Sequence, residues 1–317
     1  MRVQRCGRQA SLGAVRNFLF MLVVSTLSFF APAKINLFLA ITGQRPDGYH
    51  NLVSVVAPLA WGDTLSVEGT AAEWSLDCDV GDVPVDETNL VLKAARAFAR
   101  ATGAVGGARF RLEKRIPMGA GLGGGSSDAV AALRALNELA GQPLGADGLA
   151  ALAAKLGSDC PLFLWDGPVV MRGRGERVTP LPANAAARLR GRRVLVFKPA
   201  FGISTPWAYA QLAAQAPALY LSEPEAEGTL ARWLEDLHAP AEALLLNSME
   251  AAAFRKYVAL PTLLAEIRSR FGHAPSLSGS GSACYVMLQD DTDVAPLIAV
   301  IREAWGESAY VLDTRLL

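Results

Sequence analysis

The first clear pattern along the chain is a strict alternation that has the period of a half-buried β-strand. Across residues 33–42 the odd-numbered positions carry mainly large aliphatic side chains, and the opposite face carries Lys34, Asn36, Phe38 and Ala40. Side chains two residues apart in a strand project to the same side. The pattern therefore predicts a strand that presents a lysine and an amide together.

A second alternation leads into a glycine-rich loop and a helix in the middle of the chain. Residues 108–114 alternate as a strand, and residues 127–140 place large aliphatic side chains on one side of a helix. Between these elements, residues 119–125 contain five glycines. Glycine lets backbone N–H groups turn toward a ligand, and a helix N-terminus adds partial positive charge. The arrangement predicts a phosphate-binding loop, with a ligand-free tight connection as the alternative.

Two common phosphate-binding motifs do not account for this loop. The P-loop requires a lysine before its Ser/Thr, and Gly125 occupies that position. Gly119, Gly121 and Gly124 match the dinucleotide-binding spacing, but that motif follows a buried parallel strand. The strand before this loop is charged at every second residue, so the sequence favours another nucleotide fold.

The rest of the chain mixes strands and helices without regular alternation, which predicts the α+β class. Asn89 is a predicted N-cap for a helix through Arg100 that ends near Gly103. Residues 181–193 show no clear period and are predicted to join an N-terminal domain, 25–187, to a C-terminal domain, 188–317. Further helices are predicted at 147–156, 207–215, 229–237 and 260–271, and further strands at 52–59, 64–68, 169–171, 194–198 and 283–288.

Composition excludes some classes of function. Lys plus Arg and Asp plus Glu number 30 each, so no net charge favours nucleic acid or an anionic membrane. Three histidines argue against a His-built metal site. The four cysteines lack paired spacing, which is typical of a reducing compartment and predicts a cytoplasmic protein.

Three sequence features, in this order, resemble the GHMP kinase superfamily. They are Pro-Ala-Lys-Ile-Asn-Leu at 32–37, the glycine-rich loop at 117–127, and Ser-Gly-Ser-Gly-Ser at 278–282. Within the superfamily, residues 42–50 and 156–163 are similar to the 4-diphosphocytidyl-2-C-methyl-D-erythritol kinase family. The resemblance implies an N-terminal domain like ribosomal protein S5 domain 2, a C-terminal ferredoxin-like domain, and an active site in the cleft between them.

The resemblance also implies a reaction. Members of this family use ATP to phosphorylate the 2-hydroxyl of the methylerythritol moiety, in the methylerythritol phosphate route to isoprenoids. ATP is then the co-substrate, Mg²⁺ arrives with the nucleotide and is held mainly by phosphate oxygens and water, and the protein supplies no metal site of its own. The alternatives are another GHMP kinase, acting on homoserine, mevalonate or a sugar, and a non-catalytic nucleotide-binding protein.

Lys34 and Asp159 are the predicted catalytic residues. Position alone leaves Asp159 open between a helix cap before Pro161 and a carboxylate that accepts a hydroxyl proton, and the resemblance favours the second. Lys34 would keep Asp159 ionised and stabilise charge on the transferring phosphoryl group. A sheet-edge lysine that reaches water is the alternative, and we expect the two side chains to pair across the cleft.

The predicted ATP-binding residues form the glycine-rich loop: Pro117, Met118, Gly119, Ala120, Gly121, Leu122, Gly123, Gly124, Gly125, Ser126 and Ser127. Either Ser126 or Ser127 would offer its hydroxyl to Mg²⁺ or to a phosphate oxygen. Asp128 would either complement the helix dipole in the first turn or contact the metal.

The predicted substrate-binding residues are Asn36, Tyr49, His50 and Tyr209. The resemblance makes Tyr49 and His50 readers of the cytidine, by stacking and by hydrogen bonds to the base edge. Spacing alone favours a turn-flanking tyrosine and a surface imidazole. Tyr209 would supply a second aromatic face for the base. We expect the loop at 278–282 to face the cleft, with a plain strand-entry turn as the alternative.

Residues 1–24 lie outside the family pattern. Arginines precede an apolar run at 18–30, and Ala-Pro-Ala follows at 31–33, which resembles a secretory signal with a small-residue cleavage site. The run is too short to span a membrane comfortably, and cleavage after Ala33 would remove the start of the strand that carries Lys34. We therefore favour translation from Met21, or a disordered leader, over export.

Overall fold

The computed structural model describes residues 26–70, 73–104 and 106–317. The predicted leader, the start at Met21 and Cys6 lie outside the described residues. Across the described ranges, no helix is both long and apolar enough to cross a membrane. The protein combines a seven-stranded sheet with a four-stranded sheet and packs helices against both, which confirms the α+β class.

The strands are β1 Leu27–Gln44, β2 His50–Thr70, β3 Ser75–Cys78, β4 Gly107–Glu113, β5 Val169–Gly173, β6 Arg177–Pro180, β7 Arg193–Lys198, β8 Leu246–Asn247, β9 Ser276–Leu277, β10 Cys284–Leu288 and β11 Tyr310–Arg315. The helices are α1 Leu90–Thr102, α2 Gly124–Leu139, α3 Ala146–Leu156, α4 Ala183–Leu189, α5 Thr205–Ala213, α6 Glu223–Glu235, α7 Met249–Lys256, α8 Ala259–Phe271 and α9 Ala295–Trp305. Short 3₁₀ helices span Cys160–Leu164 and Ala241–Leu244.

The larger sheet is built on β1 and β2, which pair antiparallel along most of their length. The outer edge of β2 is shared by β4 and β5, and β3 and β6 pair with these in turn. The outer edge of β1 pairs in parallel with β8, through Phe38 and Leu39. Because β8 comes from the second half of the chain, that half completes the first sheet, and the domain boundary at 187/188 stays a prediction.

The two strands predicted at 52–59 and 64–68 are one strand, so the predicted break between them is wrong. Gly62 and Asp63 look like a turn in the sequence, yet Gly62 lies against β1. A Cβ at Gly62 would lie 2.2 Å from the Ala31 carbonyl oxygen. Glycine is therefore needed here for close strand approach, and not for a turn.

A β-bulge in β1 corrects the predicted alternation. Asn36 pairs with Val56 and Phe38 with Val55, so Leu37 is an extra residue in β1. Beyond the bulge the faces exchange: Phe38 packs in the same core cluster as Ile35, whereas Leu39 joins the other core cluster. The prediction that Phe38 and Ala40 share a face with Lys34 is therefore wrong.

The helices confirm most of the sequence signals but shift several starts. Asn89 caps α1 by accepting a hydrogen bond from Val91 N, and Gly103 ends that helix at φ +69°. Helix α2 begins at Gly124, earlier than predicted, because the glycines continue directly into it. Asp128 therefore lies in its second turn, outside the first-turn position that was predicted to complement the helix dipole.

The smaller sheet separates two layers of core. Its strand order is β11-β7-β10-β9, and the paired strands run antiparallel. Leu195 and Phe197 of β7 belong to the core that includes the apolar faces of α8 and α9. Val196 and Tyr285 belong to the core that includes Ile35 of β1. The second sheet therefore packs directly behind the strand that carries Lys34.

Candidate active site

A cavity of about 980 Å³ opens between β1, the glycine-rich loop and α5. All six predicted catalytic and substrate-binding side chains line it: Lys34, Asn36, Tyr49, His50, Asp159 and Tyr209. The predicted ATP-binding residues from Pro117 to Ser126 line it as well, whereas Ser127 does not. The structure thus brings residues far apart in sequence to one site.

Lys34 is buried, with an exposed fraction of 3%. Its Nζ donates hydrogen bonds to Asn36 Oδ1 at 2.7 Å and to Gly121 O at 2.8 Å, and it lies 3.7 Å from Asp159 Oδ2. Burial lowers the pKa of Lys34, and the Asp159 carboxylate opposes that shift. The ammonium group therefore faces the cleft, and not open water.

Asp159 follows α3 and precedes the 3₁₀ helix at Cys160–Leu164. Its side chain makes no capping hydrogen bond to that helix. It is 45% exposed and forms the ion pair with Lys34 instead. A carboxylate that is both held by a buried lysine and open to the cleft can accept a proton from a bound hydroxyl group.

Asn36 is fixed on both sides of its amide. Its oxygen accepts from Lys34, and its Nδ2 donates to Ser54 Oγ at 3.0 Å. The Ser54 hydroxyl in turn donates to Phe38 O at 2.6 Å. This chain of hydrogen bonds orients the lysine. Because the oxygen and the nitrogen of the Asn36 amide both have partners, substrate binding by Asn36 stays a prediction.

The glycine-rich loop passes directly over Lys34. Gly119, Gly121 and Gly123 have φ angles of +61°, +75° and +77°, a region that favours glycine. A Cβ at Gly123 would lie 2.8 Å from Phe163 Cζ and 3.0 Å from Lys34 Cγ. Larger residues would therefore push the loop away from the lysine.

The loop at 278–282 faces the cleft, and it touches the first loop backbone to backbone. A Cβ at Gly121 would lie only 2.2 Å from Ser278 O, and Ser278 Oγ donates to Gly121 O at 3.0 Å. Ala283 N donates to Ala120 O at 3.0 Å. The two loops therefore form one continuous wall of the site.

Asn247 supports this wall, and the sequence analysis missed it. Its Nδ2 donates to Leu277 O at 2.7 Å and to Gly279 O at 2.9 Å, and its Oδ1 accepts from Met249 N. Because Asn247 lies on β8, beside β1, it ties the second loop to the catalytic strand. A lone asparagine between two weakly patterned segments carries no sequence signal of this role.

A buried charge cluster lies under the glycine-rich loop. Lys114 Nζ contacts Asp63 Oδ2 at 2.5 Å and Asp128 Oδ2 at 2.7 Å. Asp63 Oδ1 accepts from the backbone N–H groups of Arg115 and Ile116. Lys114 and Asp63 were not predicted, because the aspartate comes from β2 and the lysine from the segment before the loop.

One lysine and two carboxyl groups are buried together in this cluster. Their mutual interactions and their burial shift the pKa values of Lys114 and Asp128. Burial raises the pKa of Asp128 to about 7; Lys114 opposes this rise and Asp63 adds to it. Burial would lower the pKa of Lys114, but the two carboxylates raise it above its usual value. Asp128 Oδ1 has no hydrogen-bond partner within the described part of the chain.

We expect Asp128→Asn to change how stability depends on pH. The unfolded chain releases this proton near pH 3.8 and the folded protein near pH 7, so wild-type stability falls as pH rises through that interval. The amide cannot ionise, so the wild type should lose up to about 4 kcal/mol relative to Asp128→Asn between pH 4 and pH 8. Thermal unfolding of both proteins across this range tests it, with the exposed Asp147→Asn as control. Parallel profiles would contradict the prediction.

An aromatic cluster forms the other end of the cavity. His50 is buried, with an exposed fraction of 6%, and burial lowers its pKa. Its ring centre lies 5.0 Å from that of Tyr209, and its Nε2 lies 3.0 Å from the Tyr220 hydroxyl. His50 is thus a buried imidazole, contrary to the surface position that spacing alone favoured. Tyr220, which the sequence analysis missed, fixes its orientation.

Tyr49 and Tyr209 present two aromatic surfaces to this end of the cavity. Tyr49 is 51% exposed, and the Arg174 guanidinium lies 4.9 Å from its ring centre. Burial raises the pKa of Tyr209, and the Asp159 charge adds to the shift. Tyr209 therefore contacts His50 and lies close enough to Asp159 to be influenced by its charge.

Comparison with known proteins identifies the family. Residues 89–167 match the model of the GHMP kinases N terminal domain. A curated 4-diphosphocytidyl-2-C-methyl-D-erythritol kinase from Synechococcus elongatus is 37% identical over 89% of this chain and 92% of its own length. The kinase of that name from Methylacidiphilum infernorum is 38% identical over 84% of this chain and 87% of its own length.

Solved structures agree with this result. A crystal structure of 4-(cytidine 5'-diphospho)-2C-methyl-D-erythritol kinase superposes with a TM-score of 0.70 and 34% identity, covering 91% of this chain and 99% of its own. A homoserine kinase from Cytophaga hutchinsonii superposes with a TM-score of 0.71 but only 17% identity, covering 95% and 98%, which shows the shared fold alone. From its length-wide identity to these kinases, the chain belongs to the 4-diphosphocytidyl-2-C-methyl-D-erythritol kinase family of the GHMP kinases.

Proposed function

We propose that this protein transfers the γ-phosphoryl group of ATP to the 2-hydroxyl of 4-diphosphocytidyl-2-C-methyl-D-erythritol. The single observation that carries the proposal is the buried Lys34 Nζ, 3.7 Å from Asp159 Oδ2, in a cavity walled by the glycine-rich loop. This geometry supplies a cation for the transferring group and a carboxylate for the hydroxyl proton. The relatives that bear the name of this kinase supply the substrate class.

The transfer step uses groups with separate tasks. The acceptor oxygen bonds to the γ-phosphorus as the bond from that phosphorus to the bridging oxygen of ATP breaks, and ADP leaves with the electron pair. Asp159 accepts the hydroxyl proton. Lys34 stabilises negative charge on the phosphoryl oxygens and holds Asp159 in place. N–H groups of the glycine-rich loop bind the remaining phosphate oxygens.

Mg²⁺ would accompany ATP beside the start of α2. Ser126 lines the cavity, whereas Ser127 is buried and does not, so Ser126 is the residue that we assign to the metal or a phosphate oxygen. Asp128 Oδ1, which is buried and unpartnered, is a second oxygen at this end. Oxygen donors of this kind fit Mg²⁺, which when bound neutralises phosphate charge.

Tyr49, His50 and Tyr209 would bind the cytidine at the aromatic end. The exposed ring of Tyr49 offers a stacking face, and the neutral His50 offers a hydrogen-bonding edge. A cytoplasmic location is part of the proposal, because Cys78, Cys160 and Cys284 are free thiols. Their reduced form suits the compartment in which ATP is available.

We expect Tyr49→Ala to raise the KM for the cytidine-linked acceptor about 10- to 100-fold and to leave the KM for ATP unchanged. Loss of base stacking costs roughly 1–3 kcal/mol. The measurement is ADP release with Mg·ATP and 4-diphosphocytidyl-2-C-methyl-D-erythritol, homoserine or mevalonate as acceptor. Trp165→Ala, an exposed aromatic outside the cavity, is the control.

Two results would contradict the proposed function. One is ADP release by the wild type that is no faster with the cytidine-linked acceptor than with homoserine or mevalonate. The other is an equal loss of affinity for both substrates in Tyr49→Ala, which would remove the cytidine assignment from this end of the cavity.

A further inference from the structure

Among the described residues, three lysine and arginine side chains line the cavity: Lys34, Lys114 and Arg174. The first two are already neutralised. Lys34 pairs with Asp159, and Lys114 pairs with two carboxyl groups. Arg174 forms no ion pair with any carboxylate in the described ranges, and its guanidinium lies over the face of Tyr49. Arg174 is therefore the cation that remains available to an anionic ligand.

The turn between β5 and β6 places Arg174 at this point. Gly173 and Gly175 flank it with φ angles of +69° and +114°, so the turn is tight. Glu176 Oε2 accepts a hydrogen bond from the Arg174 backbone N–H at 2.7 Å. The backbone is thus held while the guanidinium extends over Tyr49, 4.9 Å from its ring centre.

The nearby carboxylates do not cancel this charge. Asp47 is close enough for Arg174 to help lower its pKa, but backbone and side-chain hydrogen bonds from Tyr49 and Arg45 contribute more. Asp47 pairs with Arg45 at 3.1 Å. Glu176 is engaged with the Arg174 backbone. Arg174 therefore lines the cavity, and no carboxylate of the described residues forms an ion pair with its guanidinium.

The acceptor proposed above has a diphosphate between its cytidine and its methylerythritol. If the base lies against Tyr49 and the acceptor hydroxyl lies at Asp159, the diphosphate must cross the space between them. A guanidinium binds adjacent phosphate oxygens through two parallel N–H donors, and it also stacks on aromatic rings. Arg174 lies over the ring of Tyr49 and lines the same cavity as Asp159, so it can stack on the aromatic ring and bind phosphate oxygens.

We propose that Arg174 is the residue that binds the diphosphate of the acceptor. The proposal rests on the proposed function and deepens it. In addition to the cytidine and the acceptor hydroxyl, the diphosphate of the substrate is now assigned to a named side chain. It makes Arg174 a specificity determinant, because acceptors that lack a diphosphate, such as homoserine and mevalonate, gain nothing from it.

The test compares cytidine, CMP and CDP as inhibitors of ADP release by the full-length protein. In the wild type, each added phosphate should tighten binding. In Arg174→Met, the ratio of the inhibition constants of cytidine and CDP should fall about 10- to 100-fold, the loss typical of a charge-assisted pair. The inhibition constant of cytidine and the KM for ATP should change less than about two-fold. Arg177→Met, an exposed arginine on β6 outside the cavity, is the matched control.

The possible outcomes distinguish a failure of the Arg174 assignment from a failure of the proposed function. Full retention of the diphosphate increment in Arg174→Met, or an equal loss in Arg177→Met, overturns the assignment of Arg174 while the kinase activity stands. A wild type that binds CDP no better than cytidine also overturns it. A wild type that does not phosphorylate 4-diphosphocytidyl-2-C-methyl-D-erythritol overturns the proposed function itself. Arg174→Lys should recover part of the increment, since the charge returns without the paired donors.

Discussion

Asp159→Asn is expected to lower kcat about 10²- to 10⁴-fold while ATP still binds, which is the usual range for losing a general base. The amide keeps the size of the carboxylate but cannot accept the hydroxyl proton. It also removes the counter-charge of Lys34, whose Nζ lies 3.7 Å from the carboxylate. The measurements are ADP release for kcat and calorimetric titration for ATP affinity.

Asp166→Asn is the matched control for this substitution. Asp166 lies in the same segment, its side chain is 94% exposed, and it forms an ion pair of 3.4 Å with Arg134. Surface pairs of this kind contribute little, so the control should retain wild-type turnover. A kcat for Asp159→Asn within tenfold of the wild type would show that another group accepts the proton.

Gly121→Ala is expected to lower kcat/KM at least about 100-fold by separating the two glycine-rich loops. The added Cβ would lie 2.2 Å from Ser278 O, a backbone atom that cannot rotate away. The Gly121 carbonyl would move with it, although it accepts hydrogen bonds from both Lys34 and Ser278. A misplacement of about 1 Å at a transfer site can cost on the order of 10²-fold in rate. Steady-state kinetics for both substrates test this.

Gly141→Ala isolates the backbone contribution to this effect. Gly121 and Gly141 share a φ of +75°, but a Cβ at Gly141 would meet no atom within 4 Å. The control variant should therefore lose only about 1–2 kcal/mol of stability, the cost of the left-handed conformation, and keep its activity. If both variants lost activity equally, contact between the loops would not explain the need for Gly121.

Local signals in the sequence predicted the elements whose determinants lie within a few residues. Helix α1 is one example, since the Asn89 side chain caps its own helix and Gly103 ends it. The sequence around the start of helix α6 contains an N-terminal capping signal that the predicted helix does not include. Ser222 and Glu225 form a capping box, which marks a start near 222, earlier than the predicted 229.

The face exchange in β1 could not be predicted from alternation. Apolar residues occupy both faces beyond Asn36, so the pattern remains plausible in either register. The bulge at Leu37 is set by pairing with β2 and by the second sheet, where the Tyr285 hydroxyl donates to Asn36 O at 2.8 Å. Contacts between segments that are far apart in sequence do not change the periodicity of apolar residues within one strand.

The unpredicted site residues share a physical cause. Lys114, Arg174, Tyr220 and Asn247 act through partners that lie elsewhere in the sequence, and their own neighbours have ordinary loop or strand composition. Lys34 could be found because a lysine interrupts an otherwise apolar strand. Arg174 could not, because an arginine in a glycine turn is typical of a solvated hairpin until Tyr49 is placed beneath it.

Because β1 pairs with β8, the N-terminal half of the chain cannot complete its own sheet. As synthesis proceeds from the N-terminus, the outer edge of the catalytic strand stays open until Leu246 and Asn247 emerge from the ribosome. The Leu59–Leu316 bridge joins the first sheet to a segment that is synthesised later still. A fragment stopped at residue 187 would expose an unpaired strand edge, which promotes aggregation. The site therefore cannot be complete before Asn247 and the loop at 278–282 have been synthesised.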